Sequence, residues 1–148
     1  MKRRISPDGC FIVLLTLAVL FNFIFPIQRV IFYPYNFIGI IAIIVGIAMT
    51  ILVNFLLLKN HTSINPYESP KVLTTSGLFK YSRNPLYLGM VIILFGVDII
   101  LGTISPFIFS ILFILIINNF IIPMEEKNLE NNFGIKYTEY KNKVRRWV

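Results

Sequence analysis

Two short stretches of this chain carry residues that could do chemistry. The first is the adjacent acid pair Glu125-Glu126, which follows directly on the apolar run ending Ile121-Ile122-Pro123-Met124. If that run is a helix, the acids stand at its C-terminal end, where the backbone dipole is already negative and anions are disfavoured. A local rule broken in this way often marks function, and the ligand that would compensate for it is a cation. The competing reading is a solvated acidic pair balanced by Lys127. Asn118 lies seven residues before Glu125 and so shares its helix face to within ~20°. The second stretch is Arg83-Asn84-Pro85-Leu86-Tyr87. Pro85 suits a first helical turn, where its missing N–H would go unpaired anyway. Asn84 then falls at the N-cap, where its side chain can accept a backbone N–H. Such a helix start is a positive end suited to a carboxylate, and Arg83 could add a charge-assisted pair. A cap flanked by snorkelling anchors would account for the same residues without any ligand.

Other reactive types are sparse. Asp98 is the one acid inside an apolar run, which makes it a functional candidate by default. It lies far along its run from the two clusters, and a structural pairing with Asn22 or another polar group is the expectation. Cys10 opens the first apolar run and reads as apolar filling. His61 stands alone, with no partner at ligand spacing, so no metal site is expected.

The elements that must position these clusters follow from composition. Hydrophobic residues make up 56% of the 148, charged residues only 14%, and the mean hydropathy is +0.75. A soluble domain carries about 25% charged residues, so this chain belongs in a bilayer. One cysteine excludes a disulfide scaffold, and the apolar fraction excludes disorder. Four apolar runs, residues 9–25, 37–58, 86–104 and 107–122, predict four transmembrane helices, set against the ~20 residues a crossing needs. Only Ser105 and Pro106 separate the last two, which predicts a tight helical hairpin.

The net charge of +7 could suggest nucleic acid, but the cations fall between the apolar runs, as membrane topology requires. With four crossings, thirteen of the fourteen Lys and Arg residues lie on one side; only Arg29 does not. The positive-inside rule then places both termini and the loop from Lys59 to Pro85 in the cytoplasm. The opening Met-Lys-Arg-Arg resembles a secretory signal, yet no small-residue cleavage site follows Phe25, so an uncleaved first helix is expected. After the fourth run, Leu129, Phe133, Tyr137, Tyr140, Val144 and Trp147 recur at helical spacing, interrupted by Gly134, with basic residues between them. This predicts an amphipathic C-terminal helix on the cytoplasmic membrane face, as an anchor or a lid.

The stretch Leu73-Thr74-Thr75-Ser76-Gly77-Leu78-Phe79-Lys80-Tyr81-Ser82-Arg83-Asn84-Pro85-Leu86-Tyr87-Leu88-Gly89, taken with Glu125-Glu126, Leu129, Phe133-Gly134, Tyr137 and Tyr140, resembles the isoprenylcysteine carboxyl methyltransferase and phospholipid methyltransferase group. The resemblance covers about the second half of the chain. It implies a single membrane domain over residues 1–148, with cofactor-binding blocks at 71–89 and 123–148, in a bacterial inner membrane. It also implies S-adenosylmethionine as cofactor, bound on the cytoplasmic side and released as S-adenosylhomocysteine. By position, Leu73, Thr74, Asn84, Pro85, Leu86, Tyr87 and Glu125 would line the cofactor pocket, with the catalytic candidates Arg83 and Glu126 beside it. Glu125 would pair with the cofactor ammonium, the helix start at Asn84 would receive its carboxylate, and Tyr87 would offer an aromatic face. The chain departs from the eukaryotic pattern at Asn84, where His is usual, at Leu78 and Phe79, and at Ile121, where those enzymes carry an acceptor-binding Arg.

The acceptor is left open among a prenylated cysteine, a phospholipid amine and another small amphiphile. Three other readings compete. A sterol-reductase-like membrane enzyme would bind NADPH. A small multidrug exporter would carry a Glu in its first helix, which is absent here. A non-catalytic scaffold would not need the two blocks.

Overall fold

The structure is a computed structural model that describes residues 6–60, 70 and 72–148. Lys2, Arg3, Arg4, His61 and Lys71 lie outside the described residues. Every regular element among those described is helical, and the single extended pairing is an isolated antiparallel bridge between Arg29 and Thr103.

Helix α1 spans Pro7–Ile24. Ser6 caps it, its side-chain oxygen accepting from the Gly9 N–H at 3.4 Å, while Pro7 and Asp8 fill a first turn suited to both. A 3-10 turn, Tyr35–Phe37, leads into α2, Ile38–Lys59. Helix α2 buries little besides Gly39, Gly46 and Val53 and exposes Ile41, Ile44, Ile51 and Phe55, a surface suited to lipid.

Helix α3, Pro85–Leu101, packs along α2 through glycines spaced seven apart on both. Gly46 faces Gly89 and Gly39 faces Gly96, so closely that a Cβ on Gly46 would stand 2.7 Å from the Gly89 carbonyl oxygen. Small residues at such a seam let two backbones approach where lipid offers no hydrophobic drive to associate. Gly102 ends α3 in the left-handed region, φ 75°. Its carbonyl accepts from the N–H groups of Val30 and Ile31, and the Ile104 N–H reaches back to Ile27 and Gln28, which ties the connection after α1 to the connection after α3.

Helix α4, Phe107–Ile116, runs through a π turn, Ile117–Ile121, into α5, Ile122–Phe133, as one continuous rod. The wide turn has a local cause. Pro123 has no N–H to offer the carbonyl of Asn119, and its ring would collide with that carbonyl in a regular helix, so the turn before it opens. The core lies among α1, α3 and the α4–α5 rod: Leu14, Tyr87, Met90, Val91, Leu94, Phe113, Ile117, Ile121 and Ile122.

Several expectations change here. The rod from Phe107 to Phe133, α1, and the segment Tyr35–Lys59 are long and apolar enough to cross a membrane. Helix α3, with 17 residues, covers only ~25 Å at 1.5 Å per residue. The third predicted run, 86–104, overshoots: residues 102–104 belong to the connection, which runs from Gly102 to Pro106 rather than over Ser105 and Pro106 alone. Asp98 is fully buried and accepts from Ser110, the other polar group that the expected pairing allowed, and Asn22 accepts from Thr103. The amphipathic C-terminal helix is two helices. Gly134, at φ 52° and ψ −122°, breaks α5 from α6, Ile135–Lys143, with nothing within 4 Å of where its Cβ would stand. Backbone conformation, not space, calls for glycine there. Beyond α6 the chain leaves helical geometry at Val144 and turns back onto the start of α3.

Candidate functional site

The site grows from the first turn of α3. Pro85 sets that turn and is buried, and the half-buried Leu86 follows it. Asn84 occupies the N-cap, but its side chain makes no capping bond. Its amide donates instead to the Arg146 carbonyl at 2.9 Å, so the expected self-cap is replaced by a bond to the tail. The Asn84 N–H is taken by Ser82 Oγ at 3.2 Å, and the Arg83 N–H donates to the Arg145 carbonyl at 3.0 Å. Asn84 therefore does not cap the helix it begins.

The two adjacent acids stand in opposite electrostatic settings. Glu126, 6% exposed, is surrounded by cations: Arg83 Nη1 at 3.1 Å, Arg146 Nη2 at 3.0 Å and Lys141 Nζ at 3.7 Å. Lys141 is shared with Glu130 at 2.7 Å. Charges this deep persist only when paired, and one carboxylate gathers a residue from before α3, one from α6 and one from the tail. Glu125 has no ion pair among the described residues. One of its oxygens accepts from the Tyr87 hydroxyl at 3.1 Å, joining α5 to the first turn of α3. Arg83, whose side chain is 10% exposed, is ion-paired through Nη1, while its buried Nε has no hydrogen-bond partner among the described residues.

Two tyrosines of α6 close the arrangement. Tyr137 is 1% exposed beside the Arg83–Glu126 pair, and burial, then the Glu126 charge, push its hydroxyl up to about 12, with Arg83 pulling the other way. Burial also raises the Tyr140 hydroxyl, which donates to the Phe79 carbonyl at 2.6 Å and ties α6 to the 3-10 turn Gly77–Lys80. Both therefore stay protonated donors at neutral pH.

Of the nine residues singled out by sequence, the structure joins Arg83 to Glu126 and Tyr87 to Glu125, and sets Asn84, Pro85 and Leu86 at the helix start between them. Leu73 and Thr74 hang on a different anchor. Thr74 Oγ1 accepts from Asn60, just beyond α2, at 3.1 Å, and Leu73 is half-buried beside it. Sequence reasoning missed Arg146, Lys141 and Ser82, and Tyr137 counted only as one position of an apolar stripe. Arg146 gave no signal, being one cation in a basic run. Asn118 was placed on the wrong acid. Seven residues match Glu125 in a regular helix, but the π turn adds about one residue per turn, and Arg146 accordingly bridges Asn118, at 3.3 Å, to Glu126, eight residues on.

Among the described residues, a carboxylate without an ion pair, an aromatic hydroxyl bonded to it, a helix whose N-cap side chain bonds elsewhere and a buried guanidinium with a spare N–H suit a ligand that bears both charges. Comparison with known proteins identifies relatives of the chain. A protein of Haemophilus influenzae described only as uncharacterized is 44% identical over 63 residues, which are 43% of this chain and the whole of that one. The protein-S-isoprenylcysteine O-methyltransferase of Schizosaccharomyces pombe is 32% identical over 88 residues, 57% of this chain and 36% of the enzyme. The Saccharomyces cerevisiae enzyme of the same name is 38% identical over 80 residues, 52% of this chain and 32% of the enzyme. The chain thus spans about a third of the length of each yeast enzyme. The match to the phospholipid methyltransferase family runs over residues 35–136, from the turn before α2 through Arg83, Asn84, Tyr87, both acids and the break at Gly134; with well over half of its length inside that match, the chain belongs to the phospholipid methyltransferase family.

Proposed function

We propose that the chain is a membrane methyltransferase that binds S-adenosylmethionine at the start of α3 and the end of the α4–α5 rod, at the cytoplasmic membrane face. The observation that carries this reading is the contrast between the two acids: Glu126 is paired with three cations, whereas Glu125 has no ion pair among the described residues. An uncompensated anion in a half-buried position is costly unless a ligand cation completes it. The cofactor supplies a methyl group on a positively charged sulfonium, together with an ammonium and a carboxylate.

Each part of the site has a matching task. Glu125 pairs with the ligand's positive charge, and Tyr87 both orients that carboxylate and offers its ring to a cation. The Leu86 N–H, which the Asn84 side chain does not cap, and Arg83 Nε receive the ligand carboxylate. Leu86, Leu73 and Thr74 complete the walls. Arg83 and Glu126 stand nearest the reacting groups, with Glu126 fixing Arg83 rather than acting as a free base, because three cations already occupy it. Methyl transfer is a displacement at carbon that needs in-line placement of nucleophile and methyl more than covalent help. The protein's share is to hold, align and exclude water. A site at the membrane edge admits the soluble cofactor from water and an amphiphilic acceptor sideways from lipid. Supporting this reading, four crossings with the third and fourth as a hairpin would put both chain ends and thirteen of fourteen cations at the site's end.

The test is calorimetric titration of detergent-purified protein with S-adenosylhomocysteine, with NADPH as control. The wild type is expected to bind the former alone. Glu125→Ala should weaken that binding at least about tenfold, as loss of a charged contact implies, while helicity is retained. Equal affinity in Glu125→Ala and wild type would refute the assignment of the site, and binding of NADPH instead would move the chain to a reductase chemistry.

A further inference from the structure

The segment after α6 makes a dense set of specific bonds. The Arg146 carbonyl accepts from Asn84 Nδ2 at 2.9 Å and from Ser82 Oγ at 3.4 Å. Its guanidinium approaches Glu126 through Nη2 at 3.0 Å and Nε at 3.3 Å, and reaches Asn118 through Nη1 at 3.3 Å. Trp147 donates its indole N–H to the same Asn118 oxygen at 3.3 Å and packs against the core. One residue therefore joins the start of α3, the π turn and α5. This bridge depends on the π turn, since Asn118 and Glu126 face one guanidinium only because the turn between them is wide.

The consequence for the site runs through Asn84. An N-cap asparagine ordinarily bonds the first N–H groups of its own helix. Here the Arg146 carbonyl holds its amide away from them, and α3 begins without a side-chain cap. We propose that Arg146 is a positioning residue: it fixes Asn84 off its own helix and Glu126 against Arg83, so that the Leu86 N–H and the Arg83 Nε stay available to the ligand carboxylate. This rests on the methyltransferase reading above. With the tail undocked, Asn84 is free to cap α3 and compete with the ligand, and Arg83 and Glu126 lose the partner that sets their register.

Trp147 is the single tryptophan of the chain, so its emission reports tail docking with or without ligand. The experiment compares wild type, Arg146→Ala and Arg146→Lys for S-adenosylhomocysteine affinity by calorimetry and for Trp147 emission and acrylamide quenching. Arg146→Ala should lose at least about tenfold in affinity, with Trp147 shifted to the red and more readily quenched. Arg146→Lys keeps a charge near Glu126 but lacks the fork that meets Asn118 as well, so it should fall between the two. That graded rescue keeps the proposal testable if the alanine variant fails to fold. Wild-type affinity in Arg146→Ala overturns the proposal. So does lost affinity with unchanged Trp147 emission, since Arg146 would then touch the ligand itself. If folded wild type binds no S-adenosylhomocysteine, the methyltransferase reading falls first, an outcome distinct from either.

Discussion

Neighbouring residues of one type can be built for opposite purposes, and Glu125 and Glu126 illustrate how. Glu126 assembles the end of the molecule where the start of α3, α6 and the tail meet. Remove its carboxylate and Arg83, with its side chain 10% exposed, is left buried and unpaired, while Arg146 loses its main contact. Breaking a buried pair from one side costs about 3–5 kcal/mol. The partial exposure of Arg146 and Lys141 puts this case at the low end or below. Glu126→Ala is therefore expected to lower the thermal midpoint in detergent markedly and loosen Trp147, whereas Glu125→Ala should leave the midpoint near wild type and lose ligand. A stable Glu126→Ala with docked Trp147 would contradict this division. Asp98 provides the contrast in position. It is buried and bonded by Ser110, 14 residues along α3 from Asn84 and thus ~21 Å away. Asp98→Asn should keep S-adenosylhomocysteine affinity within about twofold, since contacts that far apart seldom couple, and a tenfold loss would place Asp98 in the ligand machinery.

At the scale of elements, the α2–α3 seam decides whether the site has a floor. Gly46→Val would drive side-chain atoms into the Gly89 carbonyl, which is 2.7 Å from where a Cβ would stand, and into Ile93. The backbones must separate, and overpacking of this kind costs typically about 1–3 kcal/mol. A lower melting midpoint is expected for Gly46→Val, measured beside Gly134→Ala, where nothing stands in the way and only the backbone conformation resists. A midpoint for Gly46→Val equal to wild type would mean the seam is not tight. The helices themselves were legible in the chain, because runs such as 37–58 contain no charge and their flanks do. The two clusters were visible because Pro85 marks a helix start and the acids break a local rule at a helix end, each with a physical meaning. Three features were not. The π turn arises from a conflict between Pro123 and a carbonyl four residues back, and it moves Asn118 from Glu125 to Glu126, a shift no fixed period reveals. The self-cap of Asn84 was the better local bond on paper, and it gave way to a carbonyl 62 residues distant. The tail was read as helix continuing through Gly134 to Trp147, but the bend and the return of Arg146 depend on where Glu126 sits, which is tertiary information.

For the whole molecule the open question is topology, and the bonding pattern makes a sharp prediction. The connections 25–34 and 102–106 are hydrogen-bonded to each other, through Val30 and Ile31 to Gly102 and through Ile104 to Ile27 and Gln28. They must lie at one end of the molecule. The residues before α3, the end of the rod, α6 and the tail are bonded together at the other end. Between these two ends α3 contributes only ~25 Å, against a hydrocarbon thickness of ~30 Å. A short helix can still cross by local thinning of the bilayer and by snorkelling of its flanking residues, and packing against the longer α2 would hold it in place. The prediction is that Ile104 and Tyr81, 45% and 74% exposed, face opposite sides of the membrane. In a Cys10→Ser background, Ile104→Cys and Tyr81→Cys should react with an impermeant maleimide from opposite sides of a sealed membrane, one from outside and the other only after the membrane is opened. Labelling of both from the same side would remove α3 from the crossings. The cations would then no longer sort to one face, and the site's acceptor would have to be sought in the opposite leaflet or in water. The predicted result would instead set Glu125 and Arg83 at one membrane surface, on the side that Tyr81 faces, within reach of a group carried by a lipid of that leaflet.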